Sequence, residues 1–384
     1  MFINPFSPIF GGQPGFFFGR SDILARFDLA MRDRGSEDRA LFVTGTRGSG
    51  KTALLEQLSQ RASASGKRTI DLGPERTLNA LLRSLVHHDQ ETKTIDPQAS
   101  ISILGTGASL RAGSSSKTTH LSADDLVIVL PEVAAKETGG LFVSIDEVQK
   151  VPIDDLSAIS NAFQMASRKG CDVMLAVAGL PYAHEDVIHH EGCTFLRRAA
   201  HEELGLFDRS ETEEAFGEAF AHIKGLSASA EALDLLNEAS YGHPYLMQLL
   251  GYCLVQDVNE RVEAKAYEVT GDDADGIVPI AYAAYERRAL RPLCDEMTSQ
   301  ELAYLRAMNE VLDERRVART SSVAEVLGKS PASLSRVRES LLRAGIVATP
   351  GRGEVMFNIP LLGNYLEKEP SKDRNVRIAL ERRV

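Results

Sequence analysis

Ala40-Leu41-Phe42-Val43-Thr44-Gly45-Thr46-Arg47-Gly48-Ser49-Gly50-Lys51-Thr52-Ala53-Leu54-Leu55 passes from an apolar run through a glycine-rich turn into the first apolar positions of a helix. Strand, turn and helix in that order are what a phosphate-binding loop of pattern G-x-x-x-x-G-K-[ST] requires. Gly45, Gly48 and Gly50 let the backbone turn sharply and approach an anion with no Cβ in the way, so that successive N–H groups point inward. A helix N-terminus near Gly50 adds roughly half a positive charge at the same place. Lys51 can reach the outer phosphates as a point charge, and the Thr52 hydroxyl can ligate the Mg²⁺ that bridges them. Thr46, Arg47, Ser49 and Ala53 complete the expected contacts of a nucleoside triphosphate site.

A second stretch, Leu141-Phe142-Val143-Ser144-Ile145-Asp146-Glu147-Val148-Gln149, is an apolar run closed by two adjacent carboxylates. It reads as a buried strand whose C-terminal edge carries the acids, and in an open α/β sheet that edge is where ligands sit. Asp146 is then placed to hold the Mg²⁺ shell and Glu147 to polarise an attacking water.

Apolar runs at 40–44, 67–72, 141–145 and 172–178, with a fifth strand possible over 202–207, alternate with helical patterns near 22–32, 50–63, 77–88, 121–136 and 158–167. Strands alternating with helices imply a parallel sheet. Within the Ser/Thr/Gly-rich segment 94–120, Ile101 and Ile103 alternate with polar residues, which suggests a hairpin or mobile insertion. From Ser210 the pattern is helical only. Ser210 and Glu213 have capping-box spacing, Ser227 opens a second helix, and Gly242-His243-Pro244-Tyr245 introduces a third. Ser299 caps a helix in the last unit, a short helix covers 322–327, Ser330 with Pro331 starts another to Ala344, and 346–359 reads as a hairpin. Helix, turn, helix, hairpin is the order of a winged helix-turn-helix. The expected division is 1–39 as lead-in, 40–207 as α/β domain, 208–295 as helical lid, 296–366 as winged helix and 367–384 as tail.

The 384 residues are 43% hydrophobic and 25% charged, enough for two or three ordinary globular domains. No apolar run reaches the roughly 20 residues that span a bilayer. Pro5, Pro8 and Pro14 break up the apolar N-terminus and no basic segment precedes it, so it does not read as a signal peptide. Four scattered cysteines, Cys171, Cys193, Cys253 and Cys294, suggest neither a zinc site nor a disulfide framework, and a cytoplasmic protein is expected. The net charge of −11 argues against nucleic acid binding by the whole surface. Yet between Arg315 and Gly353 eight basic side chains stand against two acidic ones, leaving −17 on the remainder.

Taken together, Phe18-Gly19-Arg20, the loop from Gly45 to Thr52, Val143–Gln149, Gly179-Leu180-Pro181, Phe195-Leu196-Arg197-Arg198, Gly242-His243-Pro244-Tyr245 and the terminal winged helix resemble the AAA+ and STAND ATPases. The resemblance is strongest to bacterial and archaeal ATP-binding proteins that share a domain with origin-recognition initiators, and it covers nearly the whole chain. It implies an ASCE-type P-loop NTPase sheet that binds ATP with Mg²⁺. It also implies that Phe18 and Arg20 line the adenine side, that Arg197 or Arg198 meets the γ-phosphate, and that His243 and Pro244 contact nucleotide from the lid. Self-association, with an arginine reaching a neighbour's nucleotide, is common in such families. One departure stands out: the fourth strand ends in Ala178-Gly179, where these families place a polar residue that orients the lytic water. Slow hydrolysis is therefore expected.

The expected protein is an ATP-dependent switch that binds double-stranded DNA through Arg336 and Arg343 on the recognition helix and Arg352 on the wing. The alternative is a signalling or scaffold ATPase whose winged helix docks protein. A P-loop kinase is disfavoured, because nothing resembles an acceptor site.

Overall fold

The computed structural model describes residues 1–9, 17–91 and 123–368. The hairpin expected within 94–120, and the expected tail beyond Lys368, lie outside the described residues. The first part of the chain runs α1 (Ser21–Ala30), β1 (Ala40–Gly45), α2 (Lys51–Ala64), β2 (Arg68–Leu72), α3 (Thr77–Glu91), α4 (Ala123–Lys136), β3 (Leu141–Ile145), α5 (Ile153–Arg168), β4 (Val173–Gly179), α6 (Pro181–Ile188) and β5 (Ala200–Leu204).

All five strands pair in parallel in the order β2-β3-β4-β1-β5. Placing β4 between β1 and β3 separates the glycine-rich loop from the acidic strand end by one strand and leaves both at the same edge. Every residue of β1, β3 and β4 is buried, which is why each reads as an unbroken apolar run rather than an alternation. Their side chains still alternate between faces. Phe42, Val143 and Val177 point toward Leu81, Leu130, Ile159 and Phe163 on one side. Leu41, Val43, Phe142 and Met174 point toward Phe27, Leu54 and Leu58 on the other. The fifth strand begins and ends earlier than the sequence suggests. It pairs Leu41–Gly45 with Ala200–Leu204, and Phe207, expected at its end, leaves the sheet for the next core.

The chain continues through α7 (Arg209–Ala221), β6 (Leu226–Ala228), α8 (Ala230–Ser240), α9 (Pro244–Arg261), β7 (Tyr267–Val269) and α10 (Gly271–Tyr285). Asp208, not Ser210, caps α7. Its carboxylate accepts from Glu211 N at 2.8 Å while Glu211 accepts from Asp208 N at 2.8 Å. Ser227 opens no helix; it lies in β6, which pairs in parallel with β7, and Ser229 caps α8. A π-helical turn over Glu286–Leu290 then leads into α11 (Arg291–Asp295).

The last unit comprises α12 (Ser299–Glu310), β8 (Val317–Arg319), α13 (Thr320–Val326), α14 (Ser335–Arg343), β9 (Val347–Ala348), β10 (Glu354–Phe357) and α15 (Leu362–Lys368). Its three strands form an antiparallel sheet in the order β8-β10-β9, so the expected hairpin gains a third strand from ahead of α13. Thr298, one residue before the expected Ser299, caps α12 in a capping box with Glu301. Ser330 caps as expected, but the first turn after it, Pro331–Leu334, is 3₁₀, and the α-helix starts at Ser335.

One apolar core runs without a break from Phe216 and Leu250 in the lid through Tyr285 to Leu305, Leu341 and Val355 in the last unit. The N-terminal segment is bound to the same body. Phe2 N donates to Asn259 Oδ1 at 2.6 Å, Asn4 donates to the Tyr252 carbonyl at 3.1 Å, and Ser7 N donates to Gln248 Oε1 at 2.8 Å. Phe6 lies where a Cβ on Gly251 would fall 2.4 Å from its ring, so α9 needs a glycine to admit the strap. No helix among the described residues is long and apolar enough to cross a membrane.

Candidate nucleotide-binding site

At the C-terminal edge of the sheet lies a cavity of about 500 Å³, in the range of small-molecule sites. Its floor is the loop from Arg47 to Ala53, one wall is Asp146, Glu147 and Lys150, and the lid contributes Pro244, Tyr245 and Gln248. Phe17, Phe18, Arg20, Leu204 and Phe207 close an apolar end.

The loop is built as its glycines predict. Gly48 and Gly50 have φ of 80° and 93°, in the left-handed region. A Cβ on Gly45 would lie 2.4 Å from Ser49 Oγ, so no larger residue fits there. Ser49 is buried and its hydroxyl has no hydrogen-bond partner, a cost of about 1–3 kcal/mol that an anion's oxygen would remove. Lys51 is buried, and its ammonium donates to the carbonyls of Gly45 at 3.0 Å and Thr46 at 2.8 Å. Burial holds it below the usual lysine range, against the opposing pull of Glu147 and Asp146.

Thr52 Oγ1 donates to Asp146 Oδ2 at 2.6 Å, and Asp146 Oδ1 accepts from Glu147 N at 2.8 Å. A hydroxyl and a carboxylate, both hard oxygen donors, thus meet at one point, which fits Mg²⁺. They make only part of a coordination shell. Mg²⁺ keeps several waters and shares phosphate oxygens, so a partial protein set is what a nucleotide-borne cation needs. Glu147 has φ of 53°, a left-handed conformation unusual for a non-glycine residue, and faces the cavity.

At the apolar end, Arg20 lies 4.5 Å from the Phe207 ring centroid and donates to the Gly205 carbonyl at 2.5 Å. Its Nε is buried without a partner, and burial lowers its pKa. Phe18 packs beside Phe207 with ring centroids 6.2 Å apart. Phe18 and Arg20 therefore both line the cavity at this end.

Other expected residues are placed differently. His243 lies behind the loop, outside the cavity: its Nε2 is 3.3 Å from the Arg47 carbonyl, and a Cβ on Gly48 would lie 2.5 Å from its ring. It caps α9, with Leu246 N donating to Nδ1 at 3.4 Å, and burial pushes its pKa down to about 4. Only Pro244 of that pair lines the cavity. Arg197 and Arg198 are exposed and not among the cavity's lining residues; Arg197 donates to the His190 carbonyl at 3.0 Å.

In the last unit Arg336 and Arg352 are exposed, but Arg343 is not free for DNA in this conformation. It donates to both carboxylate oxygens of Asp186 on α6, at 2.7 and 2.8 Å, and lies 5.2 Å from the Tyr182 ring centroid. Just beyond it, a Cβ on Gly345 would lie 3.0 Å from the Thr46 methyl and 3.2 Å from Pro181. Arg47, also in the phosphate loop, pairs with Glu296 at 2.6 Å at the entry to the last unit. These contacts between distant segments leave no local signal in the sequence. At the strand ends, Gln149 was given no role by the sequence, yet it joins Glu147 to the end of β4.

Residues 17–175 match the AAA ATPase domain family, and residues 287–366 match a domain of unknown function, DUF8462. No curated protein matches the sequence. Among solved structures, the chain is similar to the ORC2 protein of Aeropyrum pernix in its ADPNP–ADP complexes, with 14% identity, a TM-score of 0.61 and 94% of each chain covered. The ADP form of that protein gives 13% identity and a TM-score of 0.51, covering 94% of this chain and 93% of the other. Residues 17–175 are therefore similar to an AAA ATPase domain, and the chain as a whole has the fold of the Aeropyrum pernix ORC2 protein.

Proposed function

We propose that the protein is an ATP-driven switch in which the nucleotide cavity controls a DNA-binding winged helix at the C-terminus. Gly45 to Ala53 hold the triphosphate, with Lys51 exchanging the carbonyls of Gly45 and Thr46 for phosphate oxygens. Phe18 and Arg20 flank the base, and Pro244 contacts the nucleotide from the lid. Thr52 and Asp146 hold Mg²⁺, which when bound neutralises charge on the phosphates. Glu147 accepts a proton from water as the water oxygen bonds to the γ-phosphorus and the bond from that phosphorus to the β-bridging oxygen breaks, giving ADP and phosphate. With Ala178-Gly179 ending β4, no side chain of that strand can hold the water, and turnover is slow.

The observation that carries the switch is the contact of the phosphate loop with the last unit, through Arg47–Glu296 and through Thr46 against Gly345. Lid and last unit share one core, so they move together against the sheet. In the state described here Arg343 is held by Asp186. Release frees Arg343 to join Arg336 and Arg352 on DNA phosphates or bases. Titration of a labelled duplex at fixed salt, with ADP and with a non-hydrolysable ATP analogue, tests this. Different affinities in the two states, both weakened in an Arg336/Arg343/Arg352 triple alanine variant, are expected. Equal weak binding by wild type and variant would remove DNA from the account.

The Arg343–Asp186 pair also favours a second reading, in which the last unit restrains the ATPase and docks protein, as in a signalling or scaffold ATPase. A retained cellular response in the triple variant would favour it. In either reading, exposure of Arg197 and Arg198 outside the cavity supports a role for them toward a neighbouring copy's nucleotide rather than their own.

A further inference from the structure

The end of β4 lies between the two catalytic strand ends, with Gly179 beside Thr44 of β1. The glycine leaves a space, and that space is filled from the turn that follows the neighbouring strand β3. A Cβ on Gly179 would lie 2.7 Å from Gln149 Oε1 and 2.7 Å from a Val148 methyl. Gln149 Oε1 accepts from Leu180 N at 3.1 Å, and its Nε2 donates to Glu147 Oε2 at 2.5 Å. Both ends of the amide are thus specified. Flipped, it would turn its NH₂ toward the Leu180 N–H and its oxygen toward a carboxylate, losing both bonds.

We propose that Gln149 is a positioning residue for hydrolysis, supplying from the turn after β3 the polar group that β4 lacks. Resting on the ATPase reading above, it assigns a residue to a role that Ala178-Gly179 leaves vacant. The amide donates to one oxygen of the Glu147 carboxylate, fixing its orientation, and leaves the other oxygen for water. Because the other end is fixed to the Leu180 backbone, the carboxylate is referenced to the sheet rather than to a mobile side chain. Lys150, 3.4 Å from the same Glu147 oxygen, adds charge but no link to β4. Gly179 is required because any side chain there would displace the amide.

The test compares wild type, Gln149→Ala and Gln149→Glu for ATP affinity, steady-state kcat and KM, and thermal midpoint. Gln149→Glu is nearly isosteric and keeps an acceptor for Leu180 N, so it remains informative if the alanine variant is poorly folded. We expect both variants to bind ATP within about twofold of wild type while kcat falls roughly ten- to a hundredfold. Gln149→Glu keeps the acceptor for Leu180 N and loses only the donor to Glu147, so its kcat falls while KM for ATP and the thermal midpoint stay near those of wild type. Unchanged kcat in both variants would overturn the role, as would a loss of ATP affinity equal to the loss of kcat. Wild-type protein that binds ATP but releases no phosphate would overturn the hydrolytic reading itself, a failure visible before any variant is made.

Discussion

Lys51 donates to two carbonyls of its own loop, and binding a triphosphate exchanges those neutral acceptors for charged ones. Anionic acceptors add ion pairing to bonds that a charged donor already makes, so Lys51→Ala should weaken ATP binding by about a hundredfold or more while leaving the fold intact. Titration with a fluorescent ATP analogue checks this. His243 makes a separate prediction. Its pKa falls from 6.5 to about 4 on folding because burial disfavours the imidazolium. Below pH 6.5 the unfolded chain therefore takes up a proton that the folded one refuses. The stability that neutral His243 confers is whole above about pH 6.5 and is lost progressively down to about pH 4, by on the order of 3 kcal/mol. His243→Asn keeps a capping oxygen and removes the titration, so urea midpoints measured from pH 7.5 to 4 should fall less steeply than in wild type. His243 was legible as a helix start, since Pro follows it. Its burial against Gly48 was not, because the two are 195 residues apart in sequence and meet only once the lid folds over the loop.

Among elements, those the sequence revealed are the ones specified locally. Phosphate loop and acidic strand end are contiguous runs whose burial shows as unbroken apolarity. Edge strand β5 is half exposed and carries Glu202 and Glu203, so no apolar run marked its true start at Ala200. Helix α10 contains Gly276 and Pro279, which obscure its period, although Thr270 and Asp273 cap it. Helix α6 is only eight residues long, yet it carries the Asp186 that holds Arg343. Both side chains of that pair are about half exposed, at 46% and 50%, so it contributes roughly 0–1 kcal/mol. Asp186→Ala should therefore lower global stability by less than about 1 kcal/mol while raising duplex affinity in the ADP state. A melting curve and a duplex titration check the two halves; unchanged affinity would mean that the pair does not restrain α14.

Across the whole molecule, the sheet domain meets the last unit through Arg343–Asp186, Arg47–Glu296 and the packing of Gly345 against Thr46 and Pro181. Neither ion pair is buried, so both are weak on the scale of switching. Moving a two-state equilibrium from 1:99 to 99:1 takes about 5.5 kcal/mol of differential binding, which γ-phosphate contacts with Lys51 and Mg²⁺ could supply. A stronger interface would lock the molecule; one this weak is compatible with the proposed control by nucleotide. The same scale governs assembly. If Arg197 or Arg198 reaches a neighbour, light scattering with the ATP analogue should show a larger mass than with ADP, and alanine at both positions should abolish the difference. The most direct test of nucleotide control is hydrogen exchange in Pro181–Ile188 and Ser335–Gly345 with ADP and with a non-hydrolysable ATP analogue. Amides at the α6–α14 contact should be protected in one nucleotide state and exchange at least tenfold faster in the other. Identical exchange in both states would contradict the account.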